Sequence, residues 1–234
     1  MANTYFQFKE FIIHQHEGVF KVNTDGVLLG AWANPINPER ILEIGSGTGV
    51  LAFMMAQRFP HATVTSLDIL PEATEVCLSN LAANAPRYDH IEFICQDVLS
   101  WSANQTFDCI ISNPPFFEDN SMSSNEVEKL AKHSTALNRA QWCGAVSKNL
   151  SLDGHAFVIY PFHTADLLEL EFEKVGLFIA EKCLVRPNED KPWHRVMYAL
   201  AKRKTLQLQI SELTISGKHG YSPDYKRLTE AFYL

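Results

Sequence analysis

The chain has 234 residues, with 20 Lys+Arg against 27 Asp+Glu and a formal net charge of −7, an acidic balance that taken alone argues against a nucleic-acid partner. This length suits one domain with extensions, and 11 Gly with 11 Pro exclude collagenous and low-complexity chains. No apolar run approaches the roughly 20 residues of a bilayer-spanning helix, and residues 1–11 lack the basic-then-apolar pattern of a signal peptide, so a cytoplasmic location with no membrane association is expected.

Residues 1–39 read as an N-terminal extension. YFQFKEFIIHQHEGVFKV (5–22) alternates aromatic and polar residues like a hairpin, and Pro35 and Pro38 separate it from the strand that begins near residue 41. Its Phe6, Phe8, Phe11 and Phe20, together with Lys21 and Asp25, suit a lid over a neighbouring ligand; packing of the same phenylalanines against a sheet is the alternative. From residue 40 to 234 the pattern becomes one domain. ILEI (41–44) is a short apolar strand that runs into Gly45, and VLAFMMAQRF (50–59) has apolar residues at helical spacing. ATVTSLDI (62–69) is a second strand. PEATEVCLSNLAANA (71–85) opens a helix on proline with acidic residues in its first turn. IEFICQD (91–97) and FDCIISN (107–113) are further strands, 138–150 is helical and HAFVIYP (155–161) is a strand. A helix over 164–175 ends at Gly176, and FIAEKCLVR (178–186) and RVMYALAKRK (195–204) follow as strands. Strand–helix alternation at these lengths predicts an α/β fold with a mostly parallel sheet and helices on both faces. The final two strands lack an intervening helix, so one of them runs antiparallel.

Ligands of open α/β sheets bind at the carboxyl ends of the strands, and the chemistry-bearing residues fall there. Gly45, Gly47 and Gly49 form G-x-G-x-G between the first strand and the first helix, with Glu43 just ahead; the spacing is neither G-x-G-x-x-G nor a P-loop. Asp68 ends the second strand, where a carboxylate can accept ribose hydroxyls. Asp97 ends the third, where it can accept from an adenine amino group. Each alone is equally a turn or cap residue; together they favour a nucleoside. Asn113-Pro114-Pro115-Phe116 follows the fourth strand. The prolines have stiff φ and no N–H, leaving carbonyls to accept. Asn113, restrained by the proline after it, offers its side-chain oxygen outward, and Phe116 offers a face for a planar base. Such a turn can grip a flat amine by two accepted hydrogen bonds and one ring contact.

The five cysteines are widely spaced without C-x-x-C and read as reduced core thiols, and the nine histidines show no ligand spacing, so no metal is expected. Charge is uneven along the chain. Residues 1–119 hold 5 Lys+Arg and 14 Asp+Glu, net −9, whereas 120–234 hold 15 and 13, net +2. Arg186, Lys191, His194, Arg195, the run Lys202-Arg203-Lys204, Lys218, His219, Lys226 and Arg227 concentrate there and permit a local basic patch.

ILEIGSGTG, Asp68, Asp97 and NPPF together resemble the motifs of class I S-adenosylmethionine-dependent methyltransferases that methylate amino groups. More narrowly, FQFKEFIIHQ (6–15), KVNTDGVLLGAW (21–32), ILEIGSGTGVLAFMMAQR (41–58), ISNPPFF (111–117) and the tail YSPDYKRLTEAFYL (221–234) resemble the tRNA1(Val) adenine-N6 methyltransferase family. Glu43 and Ser46 stand where that family often has Asp and Thr. The resemblance implies a Rossmann-like fold with a seven-stranded sheet and S-adenosylmethionine as cofactor. It implies a tRNA substrate methylated on the exocyclic amine of an adenine beside the anticodon of a valine tRNA; no obligate protein partner is evident in the sequence. By the same resemblance Glu43, Gly45, Gly47, Gly49, Asp68 and Asp97 hold the cofactor, with Lys21 and Asp25 in the lid. Asn113, Pro114 and Phe116 hold the amine. Phe117 is a second stacking candidate, and Lys202, Arg203, Lys204, Lys218, Lys226 and Arg227 are candidates for phosphate contacts. Guanine N2-methylation of ribosomal RNA and glutamine N5-methylation of a protein are the enzymatic alternatives; an inactive cofactor-binding subunit is the non-enzymatic one.

Overall fold

The computed structural model describes residues 4–114, 138–205 and 207–233. The extension opens with the expected hairpin, β1 (Tyr5–Gln7) antiparallel to β2 (Ile12–His14). A helix that periodicity did not announce follows, α1 (Thr24–Trp32). Asn23 caps it, its side-chain oxygen accepting from Gly26 N at 2.8 Å, and Gly26 through Ala31 are all buried. A helix buried this completely carries no amphipathic stripe to read. Gly30 is needed for contact rather than conformation: a Cβ there would lie 2.7 Å from Met54 Sδ on the next helix.

The apolar runs become β3 (Arg40–Ile44), α2 (Val50–Arg58), β4 (Thr63–Asp68), α3 (Pro71–Ala83), β5 (Ile91–Cys95) and β6 (Phe107–Ser112). Next come α4 (Arg139–Asn149), β7 (Leu150–Pro161), α5 (Ala165–Lys174), β8 (Phe178–Asn188) and β9 (Arg195–Ala201). Pro71 opens α3, and α4 starts on a reciprocal cap in which Asn138 and Gln141 each accept the other's backbone N–H. Among the described residues the sheet has nine strands in the order β11-β10-β8-β9-β7-β6-β3-β4-β5. The seven from β8 to β5 are those expected, with β9 antiparallel to both its neighbours. Beyond β8 lie β10 (Gln209–Gly217), parallel to it, and the short antiparallel β11 (Gly220–Tyr221), after which α6 (Pro223–Thr229) folds back. Only Leu213 of β10 is buried, so this strand has no apolar alternation to betray it.

Period-two alternation divides the core between the two faces. Ile41, Ile111, Phe157 and Met197 pack with α1, α2 and the terminal segments, whereas Leu42, Ile110, Val158 and Tyr198 pack with Trp142, Leu168 and Phe172 of α4 and α5. Four of the cysteines are buried, Cys95 is exposed, and all are free thiols.

The extension is held by side chains imitating a strand. Asn84, the C-cap of α3, accepts from Ile12 N (2.9 Å) and donates to Ile12 O (2.8 Å). One turn earlier Asn80 does the same to His14 N (2.9 Å) and His14 O (3.1 Å), and also donates to Thr48 O (3.1 Å) in the glycine loop. The tail closes the other side: Lys9 N donates to Phe232 O (2.9 Å), Lys9 Nζ to Glu230 O (2.7 Å), and the Phe6 and Phe8 rings meet Tyr233. Asn80 is fully buried, so Asn80→Ala strands backbone groups at both His14 and Thr48. We expect it to cost about 2 kcal/mol in urea unfolding; a loss below about 0.5 kcal/mol would show that the zipper contributes little.

Candidate active site at the carboxyl ends of the strands

The turn from β3 to α2 is tied sideways to β4, with Gly45 N (2.8 Å) and Ser46 N (3.1 Å) both donating to Leu67 O. Gly49 N donates to Ser46 O (2.7 Å) and closes the loop. Gly45, Gly47 and Gly49 have φ of +88°, +51° and +83°, a region that side chains with a Cβ rarely enter. Gly47 is also tightly covered: a Cβ there would lie 3.2 Å from the Phe20 carbonyl oxygen, so the extension lies directly on the loop.

Asp68 is half-buried at the end of β4. Its Oδ2 accepts from Gly47 N (2.9 Å) and its Oδ1 from Leu70 N (3.0 Å). Burial pushes this carboxyl upward from its ordinary pKa, while the backbone N–H groups pull it back. Each oxygen keeps a further lone pair. Glu43 lies beneath the loop and is 1% exposed. It accepts from Ser66 Oγ, and Ser66 in turn contacts Ser46 Oγ at 2.6 Å. Glu43 therefore braces the loop from inside. Asp97, two residues past β5, accepts from Leu99 N (2.9 Å) in its own turn.

On the other side of β3, Asn113 follows β6. The strand end is fixed by Ser112, whose Oγ donates to Ile44 O (2.7 Å) and accepts from Trp142 Nε1 (3.2 Å). Asn113 Oδ1 is buried and has no hydrogen-bond partner among the described residues. The first turn of α1 adjoins the same amide, since a Cβ on Gly26 would come within 4.0 Å of Asn113 Nδ2. Sheet order places Asn113, the glycine loop, Asp68 and Asp97 on consecutive strand ends β6, β3, β4 and β5. Neighbouring strands are about 4.8 Å apart, so roughly 10 Å separates Asn113 from Asp68. That spacing suits a nucleoside-bearing ligand lying across β3 with a second group held at Asn113.

The structure disperses the remaining candidates. Lys21 is exposed beside Phe20, whereas Asp25 gives its carboxylate to Arg195 at 2.7 Å, both side chains being mostly buried. Pro114 is buried; Pro115, Phe116 and Phe117 lie outside the described residues. Lys202, Arg203 and Lys204 leave the antiparallel β9 at Ala201, which faces His155, whereas Arg195 at the other end faces Pro161. The basic run therefore lies on the rim opposite Asn113, and Arg203 is paired there with Asp153 at 2.7 Å. Lys226 and Arg227 are exposed on α6, Arg227 paired with Asp224. Lys218 is exposed in the turn after β10, whose end lies beside the end of β8 on the Asn113 rim. Sequence reasoning missed Asn80, Ser112 and Arg195 as supports of the site. Only Arg195 carried a signal, as a member of the basic group.

Residues 10–141 match the family model "Methyltransferase small domain". A tRNA1(Val) (adenine(37)-N6)-methyltransferase of Vibrio parahaemolyticus is 38% identical over 98% of this chain and 95% of its own length. The enzyme of the same name from Bacteroides thetaiotaomicron is 34% identical over 100% of this chain and 99% of its own. The chain belongs to the tRNA1(Val) (adenine(37)-N6)-methyltransferase family. Solved structures share the fold of this family member at low identity. A protein described as a predicted O-methyltransferase from Agrobacterium tumefaciens has a TM-score of 0.65 at 21% identity, covering 89% of this chain and 96% of that one. The glycopeptide N-methyltransferase MtfA, solved in complex with S-adenosylmethionine, has a TM-score of 0.56 at 12% identity, covering 78% and 89%.

Burial raises the Glu43 carboxyl of this family member from 4.5 to about 8; the Ser66 hydroxyl opposes the rise and the Asp68 charge adds to it. The folded state thus keeps a proton that the unfolded chain releases above about pH 4.5. Stability is therefore full below that pH and falls as pH rises towards 8, by at most about 1.4 kcal/mol per unit. Urea titrations at pH 5, 6.5 and 8 are expected to show this decline in the native protein and a much flatter profile in Glu43→Gln. Equal slopes would mean that Glu43 is ionised in the fold.

Proposed function

We propose that this chain methylates the 6-amino group of the adenine that its relatives' name places at position 37 of tRNA1(Val), using S-adenosylmethionine. The observation that carries the reading is the buried, unpartnered Asn113 Oδ1 at the end of β6. An acceptor left unsatisfied there costs about 1–3 kcal/mol, and an amino hydrogen satisfies it.

The donor set fits the cofactor. The lone pairs left on Asp68 suit ribose hydroxyls, Asp97 stands one strand further for the base, and Gly45 has open space where a Cβ would project. S-adenosylmethionine supplies an electrophilic methyl on a sulfonium sulfur. The protein's task is to make a weak nucleophile reactive, because the adenine amino lone pair is delocalised into the ring. Asn113 Oδ1 and the Pro114 carbonyl accept the two amino hydrogens, which favours a tetrahedral nitrogen with its lone pair free. Phe116 supplies a face for the base taken out of its stack. Holding the nitrogen in place lowers the barrier by orientation, and the proton that the nitrogen sheds once it carries the methyl leaves to water, the neutral thioether being the other product. The segment around Phe20 and Lys21 closes over Gly47 and the bound nucleoside as a lid.

Mass spectrometry of digested tRNA from cells with and without this protein tests the reading: N6-methyladenosine should vanish from valine tRNA when the protein is absent, and its persistence would refute the assignment. Asn113→Ala should lower kcat by about 10²-fold or more with the cofactor Kd unchanged; a defect confined to Kd would remove Asn113 from the chemistry. Asp68→Asn should raise the cofactor Kd about tenfold by calorimetry, and an unchanged Kd would free Asp68 of that role.

A further inference from the structure

We infer that tRNA is held by the basic and aromatic rim formed by the β8–β9 turn and the β10–β11 turn, and not by the Lys202–Lys204 run. This surface rests on the proposed tRNA substrate and supplies the docking site that the substrate alone leaves open.

Strand direction puts both turns beside the site. β8 and β10 run parallel to β6, so Asn188 and Gly217 end on the same rim as Asn113, and the antiparallel β9 begins there at Arg195. The run 202–204 follows the far end of β9. From β6 across β7 and β9 to β8 is three strand spacings, roughly 15 Å, and to β10 four, roughly 20 Å, so a chain whose nucleotide sits at Asn113 can extend along this rim over the two turns.

The side chains of the two turns suit a nucleic acid. Arg186, near the end of β8, donates to Thr214 Oγ1 (2.9 Å) and lies 4.8 Å from the centre of the Trp193 ring. Lys191, His194, Lys218 and His219 are exposed in the two turns, and Tyr221 beside them is 54% exposed. Cations alternating with aromatic faces suit phosphates and unstacked bases of a single-stranded loop. Glu189 and Asp190 share the β8–β9 turn and limit its charge. Burial and the neighbouring Arg195 hold His194 below its ordinary pKa, so at neutral pH the charge comes from the arginines and lysines. The Asp25–Arg195 pair ties this rim to α1 beside Asn113, fixing the distance between platform and nucleophile site.

Charge also divides along this one edge of the sheet. The ends of β4 and β5 carry Asp68 and Asp97, suited to neutral nucleoside hydroxyls and amines, whereas the cations gather beyond β7, where a polyanion can lie without meeting them.

The test compares two full-chain double variants, Lys191→Glu/Lys218→Glu on this rim and Lys202→Glu/Lys204→Glu on the opposite one. Binding to an unmodified valine tRNA transcript is measured by anisotropy between 50 and 200 mM salt, with cofactor Kd by calorimetry and Tm for each protein. The expected result is at least tenfold weaker tRNA binding for the first variant and a salt slope shallower by about 1.4, since each lost phosphate contact to a single strand contributes about 0.7. The second variant should stay within twofold, and cofactor Kd and Tm should be unchanged in both. An unaltered first variant, or an equal or larger loss in the second, overturns the assignment while tRNA methylation by the native protein still stands. A native protein that neither binds nor methylates the transcript overturns the function and this surface together.

Discussion

A buried carbonyl oxygen with nothing to accept is a cost that folding tolerates only when another gain offsets it. Asn113 carries such an oxygen, and much of the surrounding structure holds it still. Ser112 beside it commits both its donor and its acceptor, to β3 and to Trp142. Pro114 after it has no N–H to offer and stiffens the departure of the chain. The first turn of α1 adjoins the amide. Placed at the end of a central strand, next to the glycine loop, this acceptor has no hydrogen-bond partner among the described protein groups.

The loop opposite it is positioned from several sides at once. Gly45 and Ser46 are tied to β4, Asp68 holds Gly47, and Glu43 braces the turn from beneath through Ser66 and Ser46. Asn80 joins the same loop to the N-terminal hairpin, so the segment over Gly47 and the loop under it share one helix as their anchor. The two ends of the chain meet behind that arrangement, Lys9 bonding to Glu230 and Phe232. Terminal stretches that look peripheral in the sequence thus anchor the segment that lies over Gly47.

Much of this is legible in the sequence. Strands from β3 to β9 show as apolar runs because both faces of a parallel sheet are buried, and the glycine spacing and strand-end aspartates locate the crevice. Three things are not. The α1 helix is buried on nearly every side and contains Gly26 and Gly30, so neither periodicity nor propensity announces it. The β10 strand is mostly exposed and carries one buried apolar residue, Leu213. The third is the placement of the basic groups. Linear order groups Lys202–Lys204 with Arg186 and Lys191, but the antiparallel β9 carries the run from one rim to the other. Strand direction, which charge counting does not contain, separates them. Asp25 is a similar case, its carboxylate being taken by Arg195, a residue 170 positions away.

The most direct measurement is a crystal structure with sinefungin and a short anticodon-loop RNA containing the target adenine. The expected result is the adenine 6-amino nitrogen about 3 Å from Asn113 Oδ1, with the inhibitor's ribose at Asp68. An adenine bound elsewhere, or Asn113 Oδ1 bonded to a group of the protein in that complex, would contradict it.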